Sequence, residues 1–109
     1  MKRSGLTSFF LLAVLSAFGA AAHAAGNAAA GEVKAQPCLG CHGVPGYFNA
    51  YPNYHVPRVG GQHAQYIVNA LKEYKSGARS HPTMRAQAAS LSEQDMEDIA
   101  AFFEKSQAP

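Results

Sequence analysis

Cys38 and Cys41 are the only cysteines in the 109-residue chain, and His42 follows the second directly, within "AQPCLGCHGVPGY". Such a Cys-x-x-Cys-His run has four chemical readings. A redox dithiol wants a βαβ unit and a helix N-terminus to activate its first thiol, and the sequence shows no βαβ pattern. Structural zinc wants four ligands, commonly as two separated pairs. No second Cys/His pair exists, His55, His63 and His81 are scattered, and His42 would strain to share the cysteines' tetrahedron. A Cys38–Cys41 disulfide would suit an oxidising compartment, but it closes a tiny loop and stabilises little. Covalent haem attachment is left, and it fits the spacing. On a helical turn residues 38, 41 and 42 are i, i+3 and i+4 and share one face. Two sulfurs can form thioethers while the imidazole reaches the iron between them, and Gly43 suits a tight exit.

The elements that must hold this motif begin after a leader. Lys2 and Arg3 precede an apolar run from Leu6 to Phe18, and Ala22-His23-Ala24 has the small-x-small form of a signal-peptidase site. Cleavage after Ala24 is expected, giving a signal peptide over 1–24 and one domain over 25–109. The alanine-rich tail of the run makes an uncleaved anchor the poorer alternative. The whole chain has nine Lys+Arg and seven Asp+Glu; losing Lys2 and Arg3 leaves a near-neutral exported domain. That balance gives no reason to expect a nucleic-acid partner. A domain so small buries only about 60% of its unfolded surface and often needs a staple or cofactor.

Three segments read as helix. The first runs from about Ala28 to the cysteines, with Asn27 as N-cap. Gly31 within it has no propensity reason, so close approach of another element is the expected one. The second spans roughly Gln62 to Ser76, with Ile67, Ala70, Leu71 and Tyr74 at helical spacing and Gly77 as C-cap. The third follows Ser92 as N-cap, with acidic residues in its first turn and a stripe of Met96, Ile99, Ala100 and Phe103. Two turn-rich loops separate them, Gly43 to Gly61 and Gly77 to Ser90, the second containing Pro82. The domain reads as all-α with long loops, which need something between them to pack on.

With "CLGCHG", "PRVGGQHAQYIVNALKEYKSGARSHPTM" and "SLSEQDMEDIAAFFE" in view, the chain resembles the small class I cytochromes c of bacteria. It looks especially like the single-haem modules of di-haem respiratory cytochromes. One motif implies one covalently attached haem c. The resemblance also implies that the N- and C-terminal helices cross with a glycine against an aromatic, here Gly31 with Phe102 or Phe103. The chain departs from its relatives in "VPGYFNAYPNYHVPRVGGQ", where aromatics and His55 enrich a loop that is plainer elsewhere. Tyr47, Phe48, Tyr51 and Tyr54 would pack that loop, some of them covering the haem.

A haem electron carrier wants a second axial ligand, and methionine opposite histidine raises the potential. Met96 sits on a helical apolar stripe and reads as core. Met84, just after Pro82-Thr83, matches the family's ligand position and is the expected partner of His42. A bis-histidine site through His55 or His81 and an open iron stay as alternatives. The resemblance implies a backbone carbonyl in the proline-rich loop as acceptor for the His42 ring, with Pro52 chosen, and Arg58, Gln62 and Tyr66 as haem contacts. The function implied is one-electron transfer between redox proteins in the periplasm. No catalysis is expected of the chain itself, which should be a monomer making transient contacts through patches such as Arg58, Lys72, Lys75, Arg79 and Arg85. The alternative is a haem subunit held permanently by a dehydrogenase or oxidase, with membrane contact only through partners.

Overall fold

A computed structural model describes residues 25–107. The signal peptide and the cleavage expected after Ala24 lie outside the described residues. Helix α1 (Ala28–Lys34) starts where the Asn27 side chain accepts the N–H groups of Ala29 and Ala30 at 3.0 and 3.2 Å. The expected continuous helix to the cysteines is broken at Ala35, and α2 (Gln36–His42) begins there. Pro37 is the cause: without an N–H it cannot bond the Val33 carbonyl, so the ladder restarts. The Ala35 N–H still closes the last rung of α1, donating to the Gly31 carbonyl at 2.7 Å.

A hairpin follows, β1 (Phe48–Ala50) against β2 (Asn53–His55), pairing Phe48 with His55 and Asn49 with Tyr54. It lies inside the segment expected to be loop. Helix α3 (Ala64–Ser76) starts two residues later than its periodicity implied, because its cap comes from elsewhere. The Ala64 N–H donates to the Glu104 carboxylate at 2.9 Å, a tertiary substitute for the usual side-chain cap. Gly77 ends α3 at φ +85°, the left-handed conformation expected of it.

Helix α4 (Pro82–Ala89) replaces most of the second expected loop. Proline at the first helical position loses no bond, because that N–H has no partner in a helix anyway. Helix α5 (Glu93–Lys105) carries a full capping box: Asp95 N–H donates to Ser92 Oγ at 3.1 Å, and Ser92 N–H to Asp95 Oδ2 at 2.9 Å.

The core is a single cluster joining α3, α4 and α5, with Ile67, Val68, Leu71, Ala88, Met96, Ile99, Ala100 and Phe103 all buried. Met96 is 1% exposed, so it is the packing residue its stripe implied. Helix α1 crosses α5 at Gly31, which lies against the Asp98 carbonyl and Phe102 Cβ, as the crossing expectation required. Among the described residues no helix is long and apolar enough to cross a membrane.

One polar group is buried at that crossing. Asp98, 3% exposed, accepts from Asn27 N–H at 2.7 Å, Lys34 Nζ at 2.6 Å and Gln94 Nε2 at 2.9 Å. The Asn27 N–H first, then the Lys34 ammonium, hold its carboxyl below the usual carboxylate range. Lys34 also bridges Asp95 at 2.8 Å, which lowers that carboxyl too. A carboxylate with a depressed folded pKa stabilises above its unfolded value, about 3.9, and loses that contribution as pH falls through the folded value. Asp98→Asn is therefore expected to lower Tm by about 5–10 °C at pH 7. The gap from the parent should narrow below about pH 4. Thermal melts at pH 7 and pH 2.5 check this; a gap of the same size at both would refute the assignment.

Candidate functional site

A cavity of about 430 Å³ lies beside the core, in the range of small-molecule and cofactor sites. Ile67, Leu71, Ile99 and Phe103 supply apolar wall from α3 and α5. Helix α2 presents Cys38, Cys41 and His42 to it, α3 presents Tyr66 and Tyr74, and α4 presents Thr83 and Met84. Arg58 and Gln62 line it from the segment between β2 and α3. All seven residues nominated from sequence as haem contacts or iron ligands thus border one space. Met84 does so from the first turn of a helix rather than from the loop expected of it.

Both thiols are free, and burial pushes the Cys38 thiol up. Among the described residues no three His, Cys, Asp or Glu side chains gather as a metal cluster.

His42 is oriented by its Nδ1, which sits 2.7 Å from the Pro57 carbonyl. With the carbonyl as acceptor, Nδ1 carries the proton and Nε2 is the nitrogen left for a metal. The acceptor expected from sequence was Pro52. That carbonyl instead takes the Asn49 Nδ2 donor at 2.6 Å, because Pro52 sits at the exposed hairpin tip. Only after the hairpin closes does the chain return to α2, and Pro57 is the residue it brings there.

His55 and His81 also border the cavity. His81 is occupied: its side chain caps α4, Nδ1 accepting the Met84 N–H at 3.3 Å. Its ring packs edge-on against Tyr54 at 4.7 Å and Tyr74 at 6.2 Å. His55 stands edge-on to Phe48 at 6.2 Å and is exposed. His63 is at the exposed start of α3 and does not line the cavity.

Sequence reasoning gave no cavity role to Pro57 or Arg79, and gave His81 only the alternative role of a second iron ligand. The Arg79 guanidinium lies 5.0 Å from the Tyr74 ring centre and 3.5 Å from Tyr66 Oη, at the cavity lining. A pair of aromatics at helical spacing, Tyr66 and Tyr74, with an arginine after the helix was the available signal. The five-residue basic patch divides on inspection. Arg58 and Arg79 border the cavity, whereas Lys72 pairs with Glu93 at 3.2 Å and Lys75 donates to the Leu91 carbonyl.

A family model described as cytochrome c matches residues 28–107, from the first residue of α1 to beyond α5. The chain belongs to the cytochrome c family. Similar proteins include cytochrome c4 of Pseudomonas aeruginosa, 44% identical over 82 residues, covering 75% of this chain and 39% of that one. Cytochrome c-554(548) of Halomonas halodenitrificans is 42% identical over 82 residues, covering 72% of this chain and 95% of the relative. A thiosulfate dehydrogenase electron acceptor of Stutzerimonas stutzeri is 39% identical over 75 residues, covering 69% and 34%. The chain therefore spans about two fifths of the cytochrome c4 it matches, but nearly all of cytochrome c-554(548).

Covalently bound haem c is the cofactor of such a class I domain, and the residues present fit it. Two free thiols share a helix with an imidazole whose orientation is already fixed. A thioether sulfur borders the same space from another element, and the remaining lining is largely aliphatic and aromatic.

Proposed function

We propose that this cytochrome c is a one-electron carrier in the periplasm, working between redox proteins that it meets transiently as a monomer. In this reading Cys38 and Cys41 hold haem c by thioethers, and His42 and Met84 are the axial ligands. Arg58, Gln62 and Tyr66 contact the group. The observation that carries the reading is the convergence of these residues, from α2, α3, α4 and the segment between β2 and α3, on one cavity. When bound, haem c supplies an iron that accepts and releases one electron with little structural change.

The chain's own residues have separable duties. Pro57 keeps the His42 ring turned so that Nε2 is free. The aliphatic and aromatic walls exclude water, which favours the less charged state of the site. Met84, as a neutral thioether, raises the reduction potential relative to a second imidazole.

Two measurements on the holoprotein test the proposal together. Haem is expected to stay with the polypeptide through a denaturing gel, and a Cys38→Ala/Cys41→Ala variant should lose that retention. A spectroelectrochemical titration should follow a one-electron Nernst curve. Haem that leaves the parent chain on denaturation would overturn the attachment.

A second reading, a haem subunit held by a dehydrogenase, draws on the thiosulfate dehydrogenase electron acceptor among the relatives. The exposed hairpin, with Tyr51 96% and Phe48 52% exposed, offers an uncharged surface for it. Co-purification with a catalytic subunit would favour that reading; isolation as a free monomer favours the carrier.

A further inference from the structure

The β1–β2 hairpin touches the Met84 helix through two contacts of one residue. Tyr54 Oη lies 3.2 Å from Thr83 Oγ1, across 29 residues of chain, and the Tyr54 ring packs edge-on at 4.7 Å against His81. Both partners lie just before Met84 in sequence: Thr83 directly precedes it, and His81, three residues earlier, accepts its N–H at Nδ1. The His81 ring is held from a second side by Tyr74 of α3. The same strand leads through Val56 to Pro57, whose carbonyl orients His42. One short hairpin thus connects the residue that orients His42 with the two residues that precede and cap the Met84 turn.

We propose that Tyr54 is a positioning residue for Met84, acting through Thr83 and the His81 ring, so that the hairpin straps the Met84 turn to the segment that orients His42. The inference rests on the reading of Met84 as an iron ligand. Neither contact touches the metal. Their effect is on how readily the first turn of α4 moves away and lets Met84 be displaced. A turn at a helix N-terminus has few ladder bonds of its own, so its position depends on its cap and on outside contacts.

The test uses the oxidised holoprotein and exogenous imidazole, which must displace the sixth ligand to bind iron. Tyr54→Phe keeps the ring contact and removes the hydroxyl; Thr83→Val removes the partner from the other side. Each is expected to raise imidazole affinity about threefold, the scale of one side-chain hydrogen bond. The double variant should gain no more than either single, because both delete the same bond. His81→Ala should exceed both, and His81→Asn, which restores the cap without the ring, should fall between His81→Ala and the parent. Global melting of Tyr54→Phe and Thr83→Val should stay close to that of the parent, separating local release from general destabilisation.

Unchanged imidazole affinity in both single variants, or additive gains in the double, would overturn the strap. Met84→Ala separates this from the ligand reading. If it binds imidazole no better than the parent, Met84 is not the displaced group and the ligand reading fails. If it binds far better while Tyr54→Phe does not, only the strap fails.

Discussion

Met84→Ala is expected to abolish the methionine-to-iron charge-transfer band of the oxidised protein and to lower the reduction potential on the order of 0.1 V. Axial ligand choice spans roughly 0.8 V across haem proteins, and methionine opposite histidine lies toward the high end. Removing the thioether leaves the position to water or to another side chain, and both stabilise ferric iron relative to a thioether. His81 and His55 border the same cavity and are the imidazoles of the lining besides His42. If one of them moves in, the variant should show a bis-histidine spectrum rather than a high-spin one. Capture by His81 would require it to leave the Met84 N–H and its two tyrosine contacts, so a high-spin product is the expected one. The fold should survive, since Met84 is half-buried and stands at the edge of the core. An absorption spectrum and a redox titration of parent and variant decide the matter. An unchanged spectrum would remove Met84 from the site and leave the histidines to be tested in its place.

The choice between Met84 and Met96 shows what was legible in the sequence. Helical periodicity separates them: Met96 recurs with Ile99, Ala100 and Phe103 on one stripe, and the structure buries all four. The Cys-x-x-Cys-His motif is equally local, because its meaning lies in five adjacent residues. The unexplained Gly31 was legible too, since a glycine in a helix needs a reason and close packing is a common one.

The misses share a different origin. Helix α4 has His81 as its cap, outside the Ser, Thr, Asp and Asn set, and an N-terminal proline that reads equally well as a loop residue. The hairpin has strands of three residues each, too short for alternation to register. Pro57 and Pro52 are alike in sequence. Only the return of the chain after the hairpin, a non-local event, selects Pro57 as the acceptor for His42. Local chemistry was therefore readable, while the partners that orient it were set by contacts made across the chain.

Gly31→Ala is expected to be strongly destabilising although it lies outside the site. A Cβ at this position would overlap the backbone carbonyl of Asp98 and stand 2.9 Å from Phe102 Cβ. A carbonyl held in the α5 ladder cannot swing aside as a side-chain end would, so α1 must move as a body. Overpacking costs about 1–3 kcal/mol, and a backbone obstacle puts this case at the upper end. Alanine returns about 1 kcal/mol of helix propensity, leaving a net loss of about 2 kcal/mol. For a domain this small that is a fall in Tm of roughly 8–16 °C. Displacing α1 would also loosen the Lys34–Asp98 contact, which spans the same crossing. Gly40→Ala is the matched control, because a Cβ there meets nothing within 4 Å and Gly40 is also helical. It should gain about 0.5–1 kcal/mol from propensity alone. Opposite signs for the same chemical change, read by thermal or denaturant unfolding of the holoprotein, would establish contact rather than conformation as the reason for glycine at position 31. Equal stability of the two variants would show that α1 and α5 do not meet there as closely as the packing requires.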